Sequence, residues 1–183
     1  MLIEMKVLGL SLDETSKAPI LILQQKDGKD VLPIWVGAME AMAISIALNE
    51  VETPRPLTHD LMLSTLSSLG ARLVSVNVTG LREGTYYAEL EITCGSTLSR
   101  VDSRPSDAVA LALRAGAPIR VSDEVLRLAE ESRLKPSQGD PALLRRPADA
   151  AASFLRPEEA EKQSDEELEE LLRKLDPVTR YKM

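Results

Sequence analysis

From Leu2 to Val36 the chain reads as three apolar, β-branched segments, Leu2 to Leu12, Pro19 to Gln25 and Val31 to Val36. Polar turns at Asp13 to Lys17 and Lys26 to Asp30 cut them apart. Asp27-Gly28 is a tight-turn pair, so the second and third segments form a hairpin and the chain opens antiparallel. The pattern then changes. GAMEAMAISIALNEV, residues 37–51, is rich in Ala, Met and Leu with apolar residues on more than one side. That predicts a helix largely buried in the core, stopped by Pro54 and Pro56. A second helix is expected over Thr58 to Leu69, with Thr58 as N-cap, Asp60 in the first turn and Gly70 as the stop. Leu61, Leu66 and Leu69 supply much of its buried stripe. Strands return at 71–81 and 85–93 around an Arg82-Glu83-Gly84 turn, with a shorter one at 97–101. A helix starting at Ser103 or Ser106 ends at Gly116, Pro118 to Val121 makes a last strand, and Ser122-Asp123-Glu124 opens a helix to about Glu131. The fold class is α+β: a predominantly antiparallel sheet of meander and hairpin strands packed with helices, plus a C-terminal helical extension.

After Leu134 the texture changes. Pro136, Gly139, Pro141, Pro147 and Pro157 break any period, so residues 135–163 read as a Pro-rich linker with one helical turn near Ala148 to Leu155. Residues 164–183 read as an amphipathic helix and tail, capped by Ser164 and carrying Leu168, Leu171, Leu172 and Leu175 on one side. A chain of 183 residues, 44% hydrophobic and 28% charged, suits one folded domain over 1–134 plus this extension.

Several classes of protein are excluded. With Cys94 alone there is no intramolecular disulfide and no Cys-based zinc site, which points to a reducing compartment. MLIEMKVLGLSL lacks a basic start and a small-residue cleavage site and is interrupted by Glu4, so it is read as a strand and not as a signal peptide. No run approaches the roughly 20 apolar residues of a membrane span, and a soluble, cytoplasmic protein is expected. The formal charge of -7 is the wrong sign for coating a nucleic-acid backbone. Aromatics are too sparse for a stacking platform. Any polyanion must be met locally.

Three polar clusters sit at loop-to-helix junctions, where backbone N–H groups converge. The first is Arg55, Thr58, His59 and Asp60, holding the only histidine of the chain. His59 can serve as general acid or base with Asp60 orienting it or ligating a metal, or Thr58 and Asp60 can simply cap a helix while His59 hydrogen-bonds a loop. The second is Asp102, Ser103, Arg104, Ser106 and Asp107. Its two carboxylates can converge on a hard divalent cation such as Mg²⁺, with Arg104 gripping a phosphate, or the group can be a helix start closed by an internal ion pair. The third is Trp35-Val36-Gly37 with Glu40, a strand-to-helix turn suited to an anion or to one more oxygen ligand, or one in which the glycine only permits the turn and Glu40 completes it. The spacing fits neither a phosphate-binding P-loop nor a dinucleotide fingerprint, and no nucleophile elbow is present.

VLPIWVGAMEAMAI (31–44), PRPLTHDLMLSTL (54–66) and VDSRPSDAVALALRAGAPIRVSDEVL (101–126) resemble, in order and spacing, the bifunctional nuclease domain family, described as acting on both DNA and RNA. The resemblance runs from about Leu2 to Leu134. It implies an α+β fold, a homo-oligomer with a dimer foremost, and a site at Glu40, Arg55, His59, Asp60, Asp102, Ser103, Arg104, Ser106 and Asp107. The leading expectation is a phosphodiester hydrolase acting weakly and non-specifically on DNA and RNA. In it His59, Asp60, Asp102 and Asp107 are catalytic, and Arg55, Arg104, Ser103 and Ser106 hold phosphate. Mg²⁺ or Mn²⁺ is held by Asp102, Asp107 and Glu40. The rival is a non-catalytic anion- or ligand-binding regulatory module forming a homo-oligomer, which suits the acidic charge better. The terminal helix, with four leucines to bury, suggests a third role in assembly.

Overall fold

The computed structural model describes residues 1–134. The expected linker at 135–163 and helix at 164–183 lie outside the described residues. Two meanders make up most of a seven-stranded sheet. The first is β1 (Leu2–Leu12), β2 (Pro19–Gln25) and β3 (Val31–Trp35), and the second is β4 (Ala71–Arg82), β5 (Thr85–Cys94) and β6 (Thr97–Ser103). A short strand, β7 (Ile119–Ser122), is wedged between them, giving the order β3-β2-β1-β7-β4-β5-β6. It runs antiparallel to β1 and parallel to β4, the one parallel pair among the described strands. Helices α1 (Ala38–Leu48) and α2 (Thr58–Ser68) fill the connection between the meanders. Helix α3 (Pro105–Ala115) leads from β6 to β7, and α4 (Asp123–Leu134) follows. The expected α+β class and meanders are present; the wedged parallel strand was not legible. No described helix is long and apolar enough to cross a membrane.

Alternation along each strand builds the core. On β5, Ala88, Leu90 and Ile92 point into it while Glu89 and Glu91 point away. Val76 and Val78 of β4 and Ile119 and Val121 of β7 continue the apolar side, and Val109 and Leu111 of α3 close over it. The sheet is strongly curled. Laid flat, seven strands would hold the ends of β3 and β6 about 29 Å apart, yet the residues just beyond those ends meet, Glu40 and Arg104 lying 2.8 Å apart. Register shifts at Val7/Gly9, Leu73/Ser75 and Val78/Gly80 sharpen the bend, as bulges do.

The helices depart from expectation in how they are buried. Only Ala41 and Ile44 of α1 are buried, whereas Met39 is 75% and Met42 58% exposed. A single layer of helices on a sheet covers one side of each helix, and composition does not reveal that the other side faces outward. On α2 no residue is fully buried. Leu61 and Leu69 are exposed, and Leu63 with Leu66 packs against the core. Nor does Thr58 cap that helix. Leu57 holds the capping position, and the Asp60 carboxylate accepts the Leu57 N–H at 2.9 Å. At α3 neither Ser103 nor Ser106 is the cap; Arg104 occupies that position with Pro105 next, where the missing proline N–H costs nothing. Gly116 ends α3 in the left-handed conformation, as its sequence position foretold.

Candidate active site where three helices begin

Glu40 lies in the first turn of α1, His59 in the first turn of α2, and Arg104 and Asp107 at the start of α3. The curl of the sheet brings these starts together. Arg104 donates from Nε to Asp107 Oδ2 at 2.6 Å, from Nη2 to Asp107 Oδ1 at 3.1 Å, and from Nη1 to Glu40 Oε1 at 2.8 Å. His59 Nε2 lies 3.3 Å from Asp107 Oδ1. The four side chains thus form a chain of contacts from Glu40 through Arg104 and Asp107 to His59. Glu40 itself folds back over Gly37, where an added Cβ would collide with its carboxylate. A side chain at this position would push the Glu40 carboxylate off its place over the turn, the backbone itself being ordinary and extended.

Two members of the quartet, Glu40 and Arg104, line a cleft of about 410 Å³, while His59 and Asp107 lie behind Arg104 and outside its lining. Trp35, Gly37 and Glu40 line it from the first meander and its helix, Gly84, Thr85 and Tyr86 from the β4–β5 turn, and Arg104 and Ser106 from α3. The starts of α1 and α3 both face it, and helix starts favour negative charge. Burial pushes the Asp107 carboxyl up, but the Arg104 hydrogen bond and charge, together with His59, outweigh it and hold the group below 3.8. The same contacts keep Arg104 firmly charged. Because the folded value lies below the unfolded one, this pairing contributes stability above 3.8 that is lost as the pH falls through the depressed value. Thermal melts should therefore show wild-type stability dropping below about pH 4. Asp107→Asn should flatten part of that drop; identical pH profiles would show that Asp107 is not held this way.

Some expected partners are elsewhere. Asp60, expected to work beside His59, turns away: its Oδ1 accepts from Arg114 Nε at 2.8 Å while its Oδ2 caps α2. The Arg114 side chain is 8% exposed, so Asp60 offsets a nearly buried cation. Asp60→Asn should cost about 2 kcal/mol in urea unfolding without lowering turnover per folded molecule; a lost rate with unchanged stability would return Asp60 to the chemistry. Asp102 stands opposite Glu89 on β5, on the side of the sheet away from Leu90 and α3, and so does not join the quartet. Arg55 is exposed, with no ion pair among the described residues, in the loop ahead of α2. Ser103 Oγ donates to the Arg104 carbonyl at 3.0 Å. Ser106 is buried and lines the cleft.

Glu40, Asp102 and Asp107, the expected Mg²⁺ or Mn²⁺ ligands, do not stand together in this arrangement. Arg104 already occupies both oxygens of Asp107 and one of Glu40, and Asp102 is on the wrong side. Among the described residues no three His, Cys, Asp or Glu side chains stand where they could share a metal ion. Two contributors escaped the sequence reading. Arg114 gave a faint signal as the basic residue of the last turn of α3, but nothing local linked it to Asp60. The β4–β5 turn reaches the cleft only through the curl of the sheet.

Comparison with known proteins shows the family. The family model described as the bifunctional nuclease domain matches residues 21–133. An uncharacterized protein of Mycobacterium tuberculosis (strain ATCC 25618 / H37Rv) is 39% identical over 159 residues, covering 87% of this chain and 89% of that one. Bifunctional nuclease 2 of Oryza sativa subsp. japonica is 29% identical over 117 residues, and bifunctional nuclease 1 of Arabidopsis thaliana is 29% identical over 118. Each plant match covers 62% of this chain and 36% of the plant protein.

Proposed function

The chain belongs to the bifunctional nuclease domain family, and from that premise we propose that it hydrolyses phosphodiesters of both DNA and RNA, weakly and without sequence preference, at the Glu40, His59, Arg104 and Asp107 quartet. One observation carries the reading. Arg104 engages three of its five N–H groups with Glu40 and Asp107, and its side chain is 65% exposed at the cleft. Two N–H groups are left for a phosphate oxygen, in the planar geometry that suits one.

The chemistry follows from the contacts. With Nε2–H donating to Asp107, His59 keeps Nδ1 as its basic nitrogen. It takes a proton from the attacking water as the new P–O bond forms, and the same proton can pass to the departing oxygen as the old P–O bond breaks. Asp107 fixes the tautomer and offsets the imidazolium. Arg104 and the starts of α1 and α3 stabilise the charge that builds on the phosphoryl oxygens. No step here runs through a metal, because the carboxylates are committed to Arg104. Cleavage of DNA and of RNA should therefore persist in EDTA, while Arg104→Lys raises KM about tenfold for both, since an ammonium cannot bridge Glu40, Asp107 and a phosphate together. Full loss of cleavage on chelation would reinstate a metal and remove this scheme.

The rival reading, a non-catalytic anion-binding module, draws on the net charge of -7 and on the internal pairing of the quartet. It expects wild type and quartet variants to show equal, contaminant-level cleavage. A homodimer is part of the proposal as well; Met39, Met42, Leu61 and Leu69 supply exposed apolar surface for such a contact.

A further inference from the structure

We propose that the cleft beside Arg104 receives one unpaired nucleotide, its base stacked on Trp35 and its phosphate held by Arg104. The inference rests on the hydrolase reading and names the substrate form that this site selects. Trp35 is the only tryptophan of the chain, ends β3, and leaves 44% of its surface exposed while lining the cleft. A large ring left open to water beside a guanidinium and two helix starts pairs a flat apolar surface with an anion site. A nucleotide has both parts.

Two further observations point the same way. Ser106, 7% exposed, lines the same cleft, and its hydroxyl has no hydrogen-bond partner among the described residues, so it is available to a polar edge of the ligand. The cleft, at about 410 Å³, lies toward the small end of the roughly 300–1,000 Å³ usual for small-molecule sites. One base with its sugar and phosphate fits; a base-paired stack does not. Ile34 and Val36 add apolar wall. Stacking is tolerant of base identity, because every base presents a π face. The chain lacks the row of aromatics that tracks a long strand, so the contact is confined to a single nucleotide and agrees with a weak grip.

The lone tryptophan is its own reporter. Titrating the full-length protein with phosphorothioate hexathymidylate should quench the Trp35 fluorescence saturably. A blunt duplex of equal length should bind at least tenfold more weakly. In cleavage assays Trp35→Leu should raise KM for single strands about tenfold, a loss within the range for one stacked base, and Trp35→Phe should restore most of it. Absence of quenching, equal binding of the duplex, or an unchanged KM in Trp35→Leu each overturns the subsite and leaves the hydrolase reading standing. Quenching with strand discrimination but no cleavage by wild type upholds the subsite and removes the hydrolase.

Discussion

His59→Ala should lower hydrolysis of DNA and of RNA by about 10² to 10⁴-fold, the range that a positioned acid or base contributes. The loss should fall on kcat, since His59 touches Asp107 and not the free side of Arg104. Because the His59 side chain is only 17% exposed, its truncation also costs some packing, so rates are compared per folded molecule. Steady-state cleavage of a labelled single strand, beside a thermal melt, reads both quantities. Equal rates in the two proteins would show that the observed cleavage does not come from this site, and the anion-binding reading would take its place.

The second large effect concerns the platform beneath the site. Leu111 is 1% exposed on α3 and belongs to the central core. Leu111→Ala should destabilise the protein by about 2–5 kcal/mol, the usual cost of removing a buried leucine with partial collapse around the gap. For a chain of this size that lowers the melting temperature by roughly 10 °C. Urea denaturation and a thermal melt give the figure, and a cost below about 1 kcal/mol would mean that α3 is not anchored through this face. Activity per folded molecule should fall as well, because Arg104 and Asp107 stand at the start of that helix.

Much of the architecture could be read from the chain, since meander strands, tight turns and helix stops are local events. Asp27-Gly28 and Gly116 each mark their turn by their own chemistry. What could not be read is whatever the curl of the sheet decides. The separate turns carrying Glu40, His59 and Arg104 gave no local sign of convergence, and whether a methionine on α1 faces the core or water depends on what packs above it. Asp60 shows the limit most clearly. Its place beside the only histidine invited a catalytic role, while Arg114, far along the chain, claims its carboxylate instead. Asp102 is set by a simpler rule: it is the last but one residue of β6, and alternation puts it on the side of Glu89, opposite to Ser103.

The junction of the two outer strands sets a condition on competence. Glu40 follows the first meander, in α1, and Arg104 with Asp107 follow the second, at the start of α3, so the quartet closes only when both margins of the sheet have formed. A nascent chain still lacking its second half, or a molecule whose border strand has frayed, holds one acid on one side and nothing to meet it. Whatever reaction the quartet performs is thereby withheld from the unfinished and the damaged molecule, and inactivation should precede global melting.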